Sequence, residues 1–523
     1  CWRHDWNPDW EPDPPQPEVG EKRRELLASL SELNALVPGD GWIMGQRVRY
    51  LVEAQEWSAA LDLARYQCAS SASWCMALEG YALHRRGRIL EAEMAFRGAL
   101  RAMESGEAHD WSRPGVVPEP DALDWIAEGD SPHGEWADRE ALFWALSDPF
   151  GLVPGNERWT EHLARMTESR IMRRGRNAFG LSWGRDLEEL LLRYGPEVGW
   201  ERIAPAPGSS VEATIIGRED PRGRQFTPPA RVLEKLPEVE EGEWRLEEQR
   251  PREAYAPPAA PVLGVMDSQV AAFRRGDSLL IVAYVGPDSA SLPDAPPANW
   301  WRGPAPGPIS PVRGLFLLRP GDAPAWRGRS LEGASGPVSA TVPRGRHLAS
   351  LESMIPDLHW GARERFAVGL EALPPGVVGL SDVLLLESDA PAPLDPEAAA
   401  SFLYPGRRLR GDSEIRIGWE AYGLMPSAAP PVYRITLRSP SGPWPRRLAE
   451  WVGLSSRREP VRVEWRGPVP ESPAPQFLTL DVALPYLEDG PYDLIVEMEA
   501  EGMEAVTSRI RVLVGPPSRS GGL

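Results

Sequence analysis

The chain has 523 residues, enough for about three to five domains that can each bury a core. A formal net charge of −19 and a pI near 5.0 argue against a nucleic-acid backbone as partner. The 57 prolines suit long loops and strand-edge turns better than long helices, and no apolar run reaches the roughly 18 residues of a transmembrane helix. Almost all basic residues are Arg; lysine stands only at Lys22 and Lys235.

Residues 1–20 form a Trp- and Pro-rich tether. Trp2, Trp6 and Trp10 recur every four residues, which would place them on one helical face. Pro8 and the later prolines oppose a regular helix. Cys1 followed by a polar, Pro-rich tail resembles a mature bacterial lipoprotein. The resemblance implies a covalent lipid on Cys1 and no other cofactor. It also implies membrane lipid as a partner and a bacterial outer-membrane location, facing periplasm or cell surface. Trp2 stands where some lipoproteins carry the Asp that holds them at the inner membrane. Each buried methylene contributes about 0.8 kcal/mol, so several acyl chains anchor firmly. The three tryptophans suit a headgroup-level anchor, an adhesive strip along a partner protein, or a loose tether.

Residues 21–135 are expected to be helical and then a connector. Residues 21–36 form a first helix with Leu26, Leu27, Leu30, Leu33 and Leu36, broken by Pro38-Gly39-Asp40-Gly41. Two helix pairs follow to about residue 103. Gly80, Gly87, Ala92, Phe96, Ala99 and Leu100 stand at the small and bulky positions of a tetratricopeptide repeat, and Trp57, Ala60 and Ala64 match more loosely. Ala60 and Ala92 are 32 residues apart, near the ~34-residue repeat period. Residues 42–103 therefore resemble a short tetratricopeptide-like segment, which implies a face for docking or internal packing. Cys68 and Cys75 flank the turn between the pairs. They suit a local disulfide in an oxidising compartment, contributing about 2–3 kcal/mol, or two buried thiols. Their spacing is not that of a metal site, and no metal is expected. Residues 104–135, with Trp111 and Trp125, show little periodicity and suggest a long connector packed by its aromatics.

Residues 136–205 suggest a small, mainly helical central domain. A short helix over 138–146 stops at Asp148-Pro149, Pro154-Gly155-Asn156 is a turn, and a helix follows from Asn156 or Thr160. Residues 186–194 form a short helix or strand ended by Gly195-Pro196. This stretch resembles the GWxTD-type domain of bacterial cell-envelope proteins. The matching residues are Asp148, Pro149, Gly155, Asn156, Arg158, Arg165, Trp183, Asp186, Arg193, Tyr194, Gly195 and Trp200. The signature here is Ser182-Trp183-Gly184-Arg185-Asp186, without the leading Gly and the Thr. The family carries no established activity to transfer. Arg158, Glu161, His162, Arg165, Arg185 and Asp186 form a polar set. Acid–base chemistry needs such groups paired in a cleft, whereas Arg–carboxylate pairs that lock a small domain explain the same residues.

Beyond Pro205 the helical period ends and short apolar or alternating runs recur between Pro/Gly turns. Strands are expected over 211–216, 271–274, 278–285, 314–318, 338–342, 365–370 and 383–386. A second set covers 414–421, 432–438, 461–466, 477–483, 493–499 and 508–514. Arg275-Gly276-Asp277-Ser278 and Arg410-Gly411-Asp412-Ser413 each lead into a strand. The echo suggests two tandem antiparallel Ig-like β-sandwiches, over 206–390 with a Pro-rich loop and over 391–523, with a semi-rigid linker at 389–399. The Arg-Gly-Asp itself is ordinary turn chemistry. Trp300 and Trp301, in the Pro-rich loop 287–311, are expected either to contact a partner or sugar, or to cover a sheet edge.

No P-loop, GxGxxG in a βαβ setting, GxSxG or HExxH is present, and the seven histidines are scattered. The expected fold class is multidomain α plus β. The expected function is that of a non-catalytic cell-envelope lipoprotein, with no catalytic residues, acting as scaffold or subunit of a larger assembly. Its partners would be other envelope or surface proteins, or further copies in an oligomer. Alternatives are a glycan-binding surface lipoprotein, and an enzyme with a site around 158–186.

Overall fold

The computed structural model describes residues 16–128, 139–175, 182–203, 214–246, 251–296, 307–319, 322–410, 413–426, 429–439, 461–484 and 487–516. Cys1, Trp2, Trp6, Trp10, Trp300 and Trp301 lie outside the described residues.

Helices fill the N-terminal part: α1 (Pro17–Leu36), α2 (Gly41–Glu53), α3 (Trp57–Asp62), α4 (Ala72–Arg85), α5 (Ile89–Ala102), α6 (Ser105–Ser112), α7 (Pro120–Ala127), α8 (Arg139–Ser147), α9 (Glu157–Met172) and α10 (Arg185–Tyr194). Their starts follow local chemistry. The Asp40 carboxylate accepts from the Trp42 and Ile43 amides, and Ser71 Oγ accepts from the Trp74 amide. Pro17 and Pro120 occupy first-turn positions that need no amide donor. Helices α4 and α5 approach closely because Gly80 has no side chain: a Cβ there would lie 2.8 Å from the Phe96 ring. Gly87 turns the chain between them at φ +82°. Cys68 and Cys75 are joined by a disulfide.

Residues 104–128, the described part of the expected connector, depart from it. They carry α6 and α7, each of eight residues, too short to show a period, and Trp111 is buried in the common core. Nor do the described residues of 136–205 form a core of their own. Phe143, Trp144, Leu163, Ala164 and Ile171 pack in one cluster with Met44, Val48, Trp74, Leu78 and Phe96.

The C-terminal part is built of strands β1 (Gly199–Ile203), β2 (Thr214–Arg218), β3 (Val262–Leu263), β4 (Gln269–Arg275), β5 (Ser278–Val285), β6 (Val312–Leu318), β7 (Arg327–Glu332), β8 (Gly336–Pro343), β9 (His347–Ile355), β10 (Trp360–Val368), β11 (Gly379–Leu380), β12 (Leu384–Leu386), β13 (Arg408–Leu409), β14 (Glu414–Tyr422), β15 (Val432–Arg438), β16 (Val461–Arg466), β17 (Gln476–Ala483), β18 (Gly490–Glu499) and β19 (Val506–Val514). β1 and β2 pair as a ribbon. The rest form sheet A (β3-β10-β9-β6-β7), sheet B (β4-β5-β8), sheet C (β14 between β17 and the broken β11/β12 edge) and sheet D (β13-β19-β18-β15-β16). The architecture is thus α+β, with helices first and sheets second.

The layers stack. Strand alternation sends Leu315 and Leu317 of β6 against Ile281 and Ala283 of sheet B, while Phe316 meets Phe150, Leu152 and Ile89 of the helical part. Phe273, Leu280 and Val282 leave the other face of sheet B to pack on Leu384 and Leu386 of sheet C. Leu385, Ile415, Ile417 and Trp419 then pack on Tyr433, Ile435, Val496 and Val512 of sheet D.

This order changes the expected boundary near residue 390. β11 and β12 precede it in sequence, yet they pair with β14. The segment after it is not a free linker, because Ala399 and Leu403 are buried between sheets B and C. Apolar side chains on both faces of β12 require cover on both sides, and only sheets B and D together provide it. β9 was not expected as a strand, since Ser350, Glu352 and Ser353 interrupt its apolar pattern; both its faces are buried. The turn Arg275-Gly276-Asp277-Ser278 joins β4 to β5 with Gly276 at φ +62°. In the second copy, Gly411 and Asp412 lie outside the described residues.

A chain ending at Pro391 would leave β12 without β14 and expose Phe273, Val282, Leu384 and Leu386. It is expected to lose cooperative thermal unfolding and to aggregate. A soluble fragment with one sharp calorimetric transition would contradict the stacked arrangement.

Candidate functional site

Among the described residues, a dense polar cluster surrounds α9. Burying a charge is costly unless it is paired, and α9 buries Glu157, Arg158, Glu161, His162, Arg165 and Glu168 together. Asn156 caps the helix through its side chain, which accepts from the Trp159 amide at 2.8 Å and donates Nδ2–H to Trp144 O at 2.7 Å. Asp148 Oδ1 accepts from the Glu157 amide at 3.1 Å.

Arg158, Glu161, Arg165 and Glu168 each find a partner on another element. Arg158 and Glu253, both fully buried, pair through Nε–Oε2 at 3.1 Å and Nη2–Oε2 at 3.0 Å. Glu253 Oε1 takes the Phe226 and Thr227 amides. Arg165 donates to Glu161 Oε1 at 2.6 Å, to the α10 carbonyls Leu192 O and Arg193 O, and to Ala254 O at 2.9 Å. The C-terminal carbonyls of α10 are thereby satisfied. Gly195 follows at φ +83°, where a Cβ would meet Arg165 Nη2 at 3.0 Å. On the sheet side, Arg363 donates to Asp148 O and Pro149 O at 2.6 and 2.9 Å. Arg365 donates to Leu146 O at 2.6 Å and Asp148 O at 2.8 Å, and its guanidinium lies 4.5 Å from the Trp326 ring centroid. Glu352 Oε2 accepts the Leu152 amide at 3.1 Å.

One subset has the form of a nucleophilic site. Thr160 Oγ1 lies 3.0 Å from His84 Nδ1, and His84 Nε2 lies 2.6 Å from Glu161 Oε2. Burial holds His84 below its ordinary range. Burial pushes Glu161 up, but Arg85, Arg165 and the His84 hydrogen bond outweigh it and hold the carboxyl well below the usual range. Neutral His84 thus donates from Nε2 to the Glu161 carboxylate and accepts at Nδ1. Hydroxyl, imidazole and carboxylate stand in the order that activates a nucleophile. Thr160 and His84 are 0% exposed and Glu161 is 3% exposed, so no substrate reaches the hydroxyl in this arrangement. The subset works as a tie between α4 and α9.

Of the residues singled out in sequence, the structure gathers Asp148, Pro149, Asn156, Arg158 and Arg165 around α9, and Arg193 and Tyr194 at the end of α10. Arg193 Nε donates to Val116 O at 3.0 Å and Tyr194 Oη to Pro251 O at 3.3 Å. Trp183 is half-buried, with Nε1 3.3 Å from Ser169 Oγ. Arg185 and Asp186 are exposed in the first turn of α10 and take no part in the polar set. His84, Glu253, Tyr255, Glu352, Arg363 and Arg365 were not foreseen. The arginines of β10 flank Glu364, and such a charged triplet ordinarily marks a solvent-exposed segment.

No family model and no curated protein matches the chain. Solved structures similar to parts of it include a red sea bream transglutaminase (8% identity, 48% of this chain and 32% of that chain, TM-score 0.15). Chicken CNTN1 FN1–FN3 domains align at 13% identity over 51% of this chain and 69% of that chain, TM-score 0.15. Dimeric latent PorU from Porphyromonas gingivalis aligns at 12% identity over 48% and 20%, TM-score 0.18. With TM-scores this low, none carries an argument about fold or activity.

Removing Glu253 as Glu253→Ala leaves Arg158 buried and unpaired and is expected to cost about 3–5 kcal/mol in urea unfolding. The double variant Arg158→Met/Glu253→Leu should recover most of that loss, and equal destabilisation of both would contradict an ion-pair tie. Burial pushes Glu157 up to about 8, against its ordinary 4.5, with Tyr255 donating at 3.1 Å. The folded form holds a proton there that the unfolded form has lost, so stability falls as pH rises from about 4.5 to about 8. Glu157→Gln should flatten that slope, measured as the urea midpoint at several pH values.

Proposed function

We propose that this chain is a non-catalytic cell-envelope lipoprotein, anchored through a lipid on Cys1 and serving as scaffold or subunit of a larger protein assembly. The observation that carries the assembly role is the apolar stripe of α1. Val19, Leu26 and Leu33, seven residues apart, share one helix face with the buried Leu30 yet are 46%, 38% and 46% exposed, and Leu36 is 78% exposed. An apolar row of this kind on a polar helix is the form in which a helix receives another protein. Two further points support the reading. The Cys68–Cys75 disulfide suits an oxidising compartment. The hydroxyl–imidazole–carboxylate subset is sealed inside the helical core, where it holds helices together.

The finer architecture belongs to the same proposal. Sheets A and B, and sheets C and D, are read as two divergent Ig-like sandwiches; the facing apolar cores between each pair support this. The stretch from Asp148 to Gly195 is read as a GWxTD-like lock between helices and sheets, supported by the arginine bonds to Asp148 O and Pro149 O.

Chemical cross-linking of the detergent-solubilised envelope protein tests the assembly role. The wild-type chain is expected to cross-link at defined stoichiometry to a partner or a second copy. Leu26→Glu/Leu33→Glu should abolish the product with an unchanged melting temperature. A wild-type protein that stays monomeric and uncross-linked sinks the proposal. For the anchor, mass spectrometry of the N-terminal peptide should show acyl groups on Cys1, and an unmodified thiol would remove it.

A further inference from the structure

An open cleft lies where the two sheet pairs meet, far from α9 in sequence. It has a volume of about 670 Å³, within the range of small-molecule sites. One wall comes from the end of β5 and the turn after it, the other from residues 404–410 and the loops at 489 and 515–516. Both walls are held in place. Arg408 Nη2 reaches Asp288 Oδ2 across the junction at 2.9 Å. Asp267 Oδ1 accepts the Arg407 amide at 2.8 Å. Gly406, at φ +77°, lets the chain pass that carboxylate, which a Cβ would meet at 2.3 Å.

Four groups on the rim are left over from this wall-building. Tyr284 and Tyr404 line the cleft, and neither hydroxyl has a hydrogen-bond partner among the described residues. The exposed Arg410 and Asp489 side chains also line it and form no ion pair among the described residues. Their charges offset one another, as do those of Arg408 and Asp288, and Asp267 gives the lining one carboxylate more than it has arginines. The cleft therefore offers two aromatic faces, two hydroxyls, one five-donor fork and one acceptor carboxylate, with no excess of positive charge to attract a phosphate or polyanion.

We propose that this cleft binds a neutral saccharide. A pyranose ring presents apolar C–H faces suited to the tyrosine rings and equatorial hydroxyls that both donate and accept, so it satisfies all four leftover groups at once. A phosphorylated or sulfated ligand would leave Asp489 facing like charge. The ligand would touch both sheet pairs, so occupancy ties them together. This site is independent of the α1 stripe, and its failure leaves the assembly role untouched.

Titration calorimetry on the full chain with maltotriose, cellotriose, mannotriose and triacetylchitotriose tests it. At least one is expected to bind saturably at millimolar concentration or below. Tyr404→Phe, which keeps the ring, should weaken binding about three- to tenfold through the lost hydrogen bond. Arg410→Ala, at an exposed position, should weaken it further with the melting temperature unchanged. The proposal falls if none of the four binds, if both variants bind like wild type, or if a proline-rich decapeptide binds the cleft in their place with the same sensitivity to Arg410→Ala.

Discussion

A helix carrying ionisable side chains on most of its turns is buried at thirteen of its sixteen residues. Everything near α9 answers that constraint. An isolated buried ion costs several kcal/mol even after relaxation. Arg158 is therefore matched by Glu253, and Glu161 lies among His84, Arg85 and Arg165. The matching groups come from segments distant in sequence: α4, the stretch at 251–255 and the end of α10. Meeting the charge requirement brings those segments to one place. A hydrophobic helix in the same position would bind its neighbours as strongly and with far less choice of register.

The same logic joins the helical part to the sheets. The chain stops being helical at Ser147, and the carbonyls of Leu146, Asp148 and Pro149 lose their helical partners. Arg363 and Arg365, two residues apart on one face of β10, take them over. The aromatic rings of Trp244, Trp326 and Phe226 lie against the two guanidiniums and shield them from water. Burial brings Arg365 down to about 10, still cationic at neutral pH. Sheet A is covered on one face by apolar side chains of sheet B and on the other by this arginine–carbonyl seam. Its central strand β9 mixes Leu348 and Leu351 with Ser350 and Glu352 for that reason.

Much of the strand half was legible in sequence because its strands alternate or run apolar between turn residues. β5, β15 and β16 begin and end where that pattern does. β9 was hidden because its polar residues face protein and not solvent, which no periodicity rule anticipates. Gly80 and Phe96 were legible as a close-packed pair, and the structure puts the ring where a Cβ would sit. Asn156 could be read as a helix start from its side chain alone. The partners of Arg158 could not, since Glu253 is 95 residues away and sits among prolines and charges typical of a surface loop. Asp186 was grouped with Arg158 by nearness in sequence, but it stands exposed in the first turn of α10. The boundary near residue 390 was misplaced because prolines mark a turn equally well whether the chain is leaving a unit or crossing within one.

That crossing has a temporal side. β12 is made well before the strands that complete its sheet: about a hundred residues separate Leu386 from Ala483 at the end of β17. At synthesis rates of about 5–20 residues per second, the wait is roughly 5–20 s. Throughout it Leu385, which packs toward sheet D in the finished fold, has nothing to pack on, and the β12 edge offers unpaired amides and carbonyls to any passing strand. Sheet B waits with it, since Phe273 and Val282 have no cover until β12 is held flat. The nascent chain thus carries an adhesive middle until its late strands emerge, and a binding chaperone or a pause in synthesis would act most strongly in that interval.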